Sequence, residues 1–296
     1  MSELPTIDWW GDGIKAYPDN DMMKSGAVPN QSLVVQEHQT LINNIANLGF
    51  DIVFIPFSQQ LEDAKKYDFV FTRDHFMCNK DKEVVISNMK LPQRLEETDF
   101  VKKTLSDLGY TVKTLPENAH IAEGGEFFYL PNENMLLAGC SRNNQAGAEK
   151  VAELMNVNSL HIIISEGYHL DTAISPIFNH HHDCIGLMCA EEVFDNNNYE
   201  IVKNLCKHNN WELLSQLNTD KEKSLKARAA MNCLTLPGIL ISTDNINDSR
   251  TIEFIHENNI EFIVSEVSQF NLSGGSVHCL TTVSYTHLTL PTILLV

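Results

Sequence analysis

Apolar positions along this chain switch between two periods. Val101, Leu105 and Leu108 share one helical face, as do Ala148, Val151, Ala152 and Met155, whereas shorter apolar runs between such segments fit strands. The alternation predicts a repeated cycle of two short strands, a helix and another strand. The first cycle takes Asp68–Phe76, Glu83–Ser87, a helix near Leu95–Leu108 and Tyr110–Leu115. The second takes Glu126–Leu130, Asn134–Ala138, a helix near Asn144–Met155 and Leu160–Ile164. The third uses Thr172–Phe178, Cys184–Met188, a helix near Tyr199–His208 and a strand around Glu212, and the fourth Ala230–Leu236, Ile239–Ser242, a helix near Ser249–Glu257 and Glu261–Ser265.

The cycle recurs about every 45 to 60 residues, a period of radial or stacked units. A fifth unit can be assembled from both ends. A helix around Gln36–Leu48 leads into Asp51–Pro56, and the segment around Cys279 supplies the missing strand. Periodicity alone leaves an ordinary α/β sheet open. No linker or low-complexity tract divides the chain, so residues 1–282 are expected to form a single domain. From Val283 to Thr292 the sequence resembles translated sequencing-adapter read-through, and residues 283–296 are expected to be a non-native tail.

Charge and cysteine usage narrow the function classes. A net charge of −18 argues against a nucleic-acid surface and suits a cationic ligand. The seven cysteines are scattered through apolar stretches rather than spaced as a disulfide scaffold, which reads as a reduced, cytoplasmic protein. Met1–Trp10 lacks the basic start and apolar core of a signal peptide, and no run of about 18 apolar residues exists to span a membrane.

Four segments carry the chemistry: Phe71-Thr72-Arg73-Asp74, Glu123-Gly124-Gly125-Glu126, His169-Leu170-Asp171-Thr172 and Gly274-Gly275-Ser276-Val277-His278-Cys279. They supply carboxylates, an imidazole and a thiol. A guanidinium is planar, always protonated, and presents N–H donors in a fork that matches carboxylates. Its carbon is a poor electrophile and needs a strong nucleophile, which a cysteine thiolate provides. The order of these segments, with the cysteine last, resembles the guanidine-modifying enzymes of the pentein superfamily: arginine deiminase and the amidinotransferases, with dimethylarginine dimethylaminohydrolase a more distant match. The resemblance runs from about Phe69 to Thr281.

That resemblance implies a five-bladed α/β propeller with the site at its centre and no metal or cofactor. It implies that Asp74 and Asp171 hold the guanidinium, that Cys279 is the nucleophile, that His169 is the general acid and base, and that Glu123 supports His169. Arg142 resembles a family position that binds the substrate's carboxylate; a surface arginine is the alternative. Glu126 replaces the family's usual aspartate, leaving its role open. Methylarginine hydrolases generally lack an acid at the Asp171 position, so its presence favours an unmethylated guanidine.

The bland readings fall elsewhere. His278 is expected on the opposite side of a strand from Cys279, the other cysteines are expected to be structural, and His180-His181-His182-Asp183 reads as a solvated loop rather than a metal site. Trp9 and Trp10 either border the site or cap the N-terminal segment. The expected activity is hydrolysis of arginine or a close guanidine through a covalent amidino-cysteine. An amidinotransferase, sharing every step up to that intermediate, is the nearest rival. A homo-oligomer is compatible with the sequence.

Overall fold

The computed structural model describes residues 1–15, 21–116, 120–216 and 231–284. The expected tail therefore falls, beyond Ser284, outside the described residues, as does part of the fourth unit's expected first strand. Four mixed sheets of three strands each run along the described chain. They comprise β1 Phe76–Cys78, β2 Glu83–Ile86 and β3 Thr111–Thr114; β4 Phe127–Leu130, β5 Met135–Gly139 and β6 Ser159–Ile163; β7 Ile174–Phe178, β8 Cys184–Ala190 and β9 Glu212–Gln216; and β10 Leu234–Leu236, β11 Ile239–Ser242 and β12 Glu261–Val264. In every sheet the first two strands are antiparallel and the third joins in parallel. A parallel neighbour needs a crossover, and helices Glu97–Asp107, Gln145–Leu154, Asn196–Asn209 and Ser249–Glu257 supply it.

Side chains alternating across a pleat explain why the strands read as nearly continuous apolar runs. Phe127, Tyr129, Leu136 and Ala138 enter one core cluster, shared with Met77 and Val85 of the first sheet. Their neighbours Phe128, Leu130, Met135 and Leu137 enter another, shared with Ile174 and Leu187 of the third. The second sheet is thus buried on both faces, between its neighbours. A further cluster joins the first and fourth sheets to the N-terminal helix Gln31–Asn47 through Val34, Leu41, Val84 and Ile241. Asn30 caps that helix by accepting the Leu33 N–H.

Three expectations need correction. Asp68–Phe76 is not a strand; it folds into two 3-10 turns, Tyr67–Val70 and Thr72–His75, ahead of a short β1. Asp51–Pro56 makes only an isolated bridge, Ile55 to Ser2. Around Cys279 the chain turns rather than extends: the Leu280 N–H donates to the Ser276 carbonyl and the Thr281 N–H to that of His278.

Candidate active site

Three of the four motif segments occupy the same place in successive units. Thr72–His75, Gly124–Glu126 and Leu170–Thr172 are single 3-10 turns leading into β1, β4 and β7. Glycine lets these turns meet. A Cβ on Gly124 would lie 2.0 Å from the Arg73 carbonyl oxygen, and one on Gly125 would lie 2.5 Å from His169 Nδ1 and 2.8 Å from Asp74 Oδ1. The Cys279 turn is pinned from two sides. The Arg73 N–H donates to the Cys279 carbonyl at 3.1 Å and the Thr72 hydroxyl to that of Leu280 at 3.2 Å, while Asn232 Oδ1 accepts the Cys279 N–H at 3.1 Å.

Asp74, His169 and Glu123 form a buried charged chain. Asp74 Oδ2 accepts from Arg94 Nη1 at 2.5 Å, and Arg94 also donates through Nε and Nη2 to Glu97 Oε2 at 2.9 and 2.8 Å. Asp74 Oδ1 lies 3.5 Å from His169 Nδ1 and has no hydrogen-bond donor among the described residues. On the far side of the ring, His169 Nε2 lies 2.8 Å from Glu123 Oε2, which also accepts from Arg142 Nη1 at 3.2 Å. Burial opposes a charged His169, but the Asp74 charge and the hydrogen bond and charge of Glu123 outweigh it and hold the imidazole up to about 9. Burial likewise works against the Glu123 carboxylate, yet the hydrogen bond and charge of His169, with Arg142, hold it well below the usual range.

Cys279 and Asp171 face different company. Asp171 Oδ2 accepts from the Cys279 thiol at 3.6 Å and from His278 Nδ1 at 2.8 Å, while its Oδ1, fully buried, has no donor among the described residues. Burial first, then the charges of Asp171 and Asp74, push the Cys279 thiol well above its ordinary value. His278 does not point away from this group as a strand position would. In a helical turn successive side chains diverge by about 100°, not 180°, so His278 and Cys279 reach the same carboxylate.

Arg142 is not at the surface: it is 3% exposed, donates to Glu123, and lies 3.8 Å from the Tyr168 ring centroid. Glu126 is a tie between motifs, its Oε1 accepting from the Ser141 hydroxyl and the Arg142 N–H and its Oε2 from the Leu170 N–H. Trp9 donates its indole N–H to the Tyr67 carbonyl and packs on Phe71 and Phe270; Trp10 packs on Tyr67. His180 lies against the Asn259 carbonyl, and Asp183 accepts from Asn132 and Asn179.

Sequence reasoning passed over Arg94, Glu97, Asn232 and the position of His278. For Asn232 a signal existed. It stands just before β10, the place that Asp74 and Asp171 hold before β1 and β7, and the unit period marks it.

The profile of the family described as "N,N dimethylarginine dimethylhydrolase, eukaryotic" matches residues 15–285, nearly the whole chain. The chain belongs to that family. It is accordingly a guanidine-modifying enzyme of the pentein superfamily. No curated protein matches it in sequence. Among solved structures, the N-terminal domain of ArgZ, an arginine dihydrolase from cyanobacteria, bound to product, superposes with a TM-score of 0.77 at 18% identity over 95% of both chains. AgrE with ornithine and NAD⁺ gives 0.76 at 19% identity over 95% of this chain, which spans only 38% of AgrE. A dimethylarginine dimethylaminohydrolase variant carrying an S-methyl-L-thiocitrulline adduct gives 0.70 at 17% identity over 94% of this chain and 96% of that one. These likenesses establish the α/β fold. Among the described residues no helix is long and apolar enough to cross a membrane.

Proposed function

We propose that the chain is a cysteine-dependent hydrolase of arginine or a related unmethylated guanidine. The observation that carries this reading is a pair of buried carboxylate oxygens, Asp74 Oδ1 and Asp171 Oδ1, that have no donor among the described residues and sit on the two acids whose charges act on Cys279. Each unpaired buried acceptor costs about 1 to 3 kcal/mol. A guanidinium supplies forked N–H donors and a positive charge at once, so it satisfies both oxygens and works against the burial and the carboxylate repulsion that together hold the thiol protonated. An ordinary thiol of pKa about 8.5 needs about 2 kcal/mol to ionise at pH 7, and this buried one needs more. The cation is therefore part of the activation.

With the guanidinium bound, the thiol proton passes to solvent and the Cys279 thiolate adds to the central carbon. His169, protonated below about pH 9, delivers its proton to one nitrogen of the tetrahedral adduct. That C–N bond breaks with its electron pair, ammonia leaves, and an amidino group remains on Cys279. The neutral His169 then takes a proton from water as the oxygen adds to the same carbon. Cleavage of the C–S bond returns the thiolate and releases a ureido product such as citrulline. Glu123 keeps His169 oriented and charged for the first step. Arg142 remains a candidate for the substrate's carboxylate: Arg142→Leu then raises KM for arginine more than for a guanidine lacking that carboxylate, and an equal rise assigns Arg142 to Glu123 alone.

The family profile favours a second reading, asymmetric dimethylarginine as substrate with dimethylamine leaving. Asp171 argues against it, because Oδ1 needs an N–H where a dimethylated nitrogen has none. The test is kcat/KM for the two substrates side by side. Arginine is expected to be the faster, and the reverse order replaces arginine by the methylated substrate. Assay with and without glycine separates hydrolysis from amidino transfer.

We also propose a five-bladed arrangement, in which helix Gln31–Asn47, the Ile55 bridge and the Cys279 turn stand for a fifth unit. The seven free cysteines support a reducing, cytoplasmic setting.

A further inference from the structure

Of the buried groups that this chemistry leaves unused, His278 lies nearest to it. Its Nδ1 is 2.8 Å from Asp171 Oδ2, the oxygen that also accepts from the Cys279 thiol. The other oxygen of Asp171 is the one left without a donor. The ring stacks on Phe128 with centroids 4.9 Å apart and planes 24° apart. Asn232 ties the two residues together: its carbonyl accepts the His278 backbone N–H at 3.1 Å, and its Nδ2 donates to the Asp171 carbonyl at 3.2 Å.

Burial and the nearby Arg73 guanidinium push the His278 pKa down, so the ring is neutral. A neutral imidazole carries one N–H, and an acceptor-only carboxylate oxygen takes it, which assigns the proton to Nδ1. His278 thus differs in kind from His169, which is held charged between two acids. It has no proton to give away in the cycle. What it has is a donor of fixed direction, aimed at one oxygen of the acid whose other oxygen is free.

We propose that His278 is a positioning residue for the guanidinium clamp: by donating Nδ1–H to Asp171 Oδ2 it fixes the carboxylate plane in which Oδ1 meets the substrate. The proposal rests on the reading of Asp171 as a guanidinium ligand. It also explains why the residue beside the nucleophile is an imidazole rather than an aliphatic side chain, since stacking on Phe128 alone would be met by a phenyl ring.

Two substitutions separate these roles. His278→Phe keeps a ring to stack on Phe128 and removes the donor, whereas His278→Asn restores an N–H near the Nδ1 position. His278→Phe is expected to raise KM for arginine about tenfold to a hundredfold with kcat changed by less than about threefold, and His278→Asn to recover most of the loss. An unchanged KM in His278→Phe, or a loss in His278→Asn as large as in His278→Phe, overturns the proposal. In an Asp171→Asn background His278→Phe should add nothing further; a full independent effect there also overturns it. Should the phenylalanine variant fail to fold, the cycle is run with His278→Ala on the Cys279→Ser protein, reading arginine binding by calorimetry with the same expected and contrary outcomes. If Asp171→Asn itself leaves KM unchanged, the clamp reading has failed, a result distinct from a silent His278→Phe beside an impaired Asp171→Asn.

Discussion

The two ends of the site are built from the same groups, acid and imidazole, and behave in opposite ways. At one end Asp74 and Glu123 meet Arg94, His169 and Arg142, so every negative charge there has a cationic partner within 3.5 Å. At the other end the only donors that Asp171's carboxylate meets among the described residues are neutral, the His278 ring and the Cys279 thiol. Compensated charge is cheap to keep buried, and uncompensated charge is not. The first end is therefore balanced in charge without a ligand, and only Asp74 Oδ1 there still awaits a donor. In the proposed mechanism the second end is completed by the substrate cation, which would let a thiol held well above its ordinary pKa serve as the nucleophile.

Removing the nucleophile tests the open end most severely. Cys279→Ser should lower kcat/KM on the order of 10⁴-fold or more while leaving the melting temperature near wild type, because the thiol is activated by the ligand rather than by a structural partner. Residual activity above a few per cent takes Cys279 out of the mechanism. At the closed end the largest effect is on stability. Arg94→Met leaves Asp74 and Glu97 buried without their cation, and about 3 to 5 kcal/mol of unfolding free energy should be lost in a denaturant titration.

Asp171→Asn should do the reverse of Arg94→Met. Replacing an uncompensated buried carboxylate by an amide leaves the melting temperature unchanged or raised, while kcat/KM for arginine falls about tenfold to a hundredfold through loss of a charge-assisted hydrogen bond. A destabilised Asp171→Asn protein would mean that the two ends do not differ as described.

The smallest expected effect is one of pH on stability. His169 is raised from 6.5 to about 9 in the fold, so the stability it contributes is fully present below about pH 6.5 and is lost as pH rises through about 9. The gap in melting temperature between wild type and His169→Gln should accordingly be widest near pH 6 and narrow toward pH 9. A gap that widens with pH contradicts a charged His169.

How much of this is legible in the sequence depends on the range of the contact. The crossover helices are, because an amphipathic face repeats over three turns: the expected Asn144–Met155 lies at Gln145–Leu154 and the expected Ser249–Glu257 at the same residues. The entry to β1 is not. Phe69, Val70 and Phe71 are apolar because the turns before β1 are as buried as the strand, and a run of buried residues looks the same in either conformation. The motif residues can be found from their order, yet their partners cannot. Arg94 reaches Asp74 from twenty positions further along the chain, in an ordinary Pro-Gln-Arg turn, and His278 faces Asp171 only because the Cys279 segment turns. The compensated and uncompensated ends of the site are thus visible only in three dimensions.

The measurement that bears most directly on the mechanism is mass spectrometry of Cys279 after rapid quenching of the wild-type protein with arginine. The mechanism predicts an amidino adduct on Cys279 that forms before citrulline appears and is absent from Cys279→Ser. Turnover of arginine with Cys279 unmodified throughout the pre-steady state would contradict it.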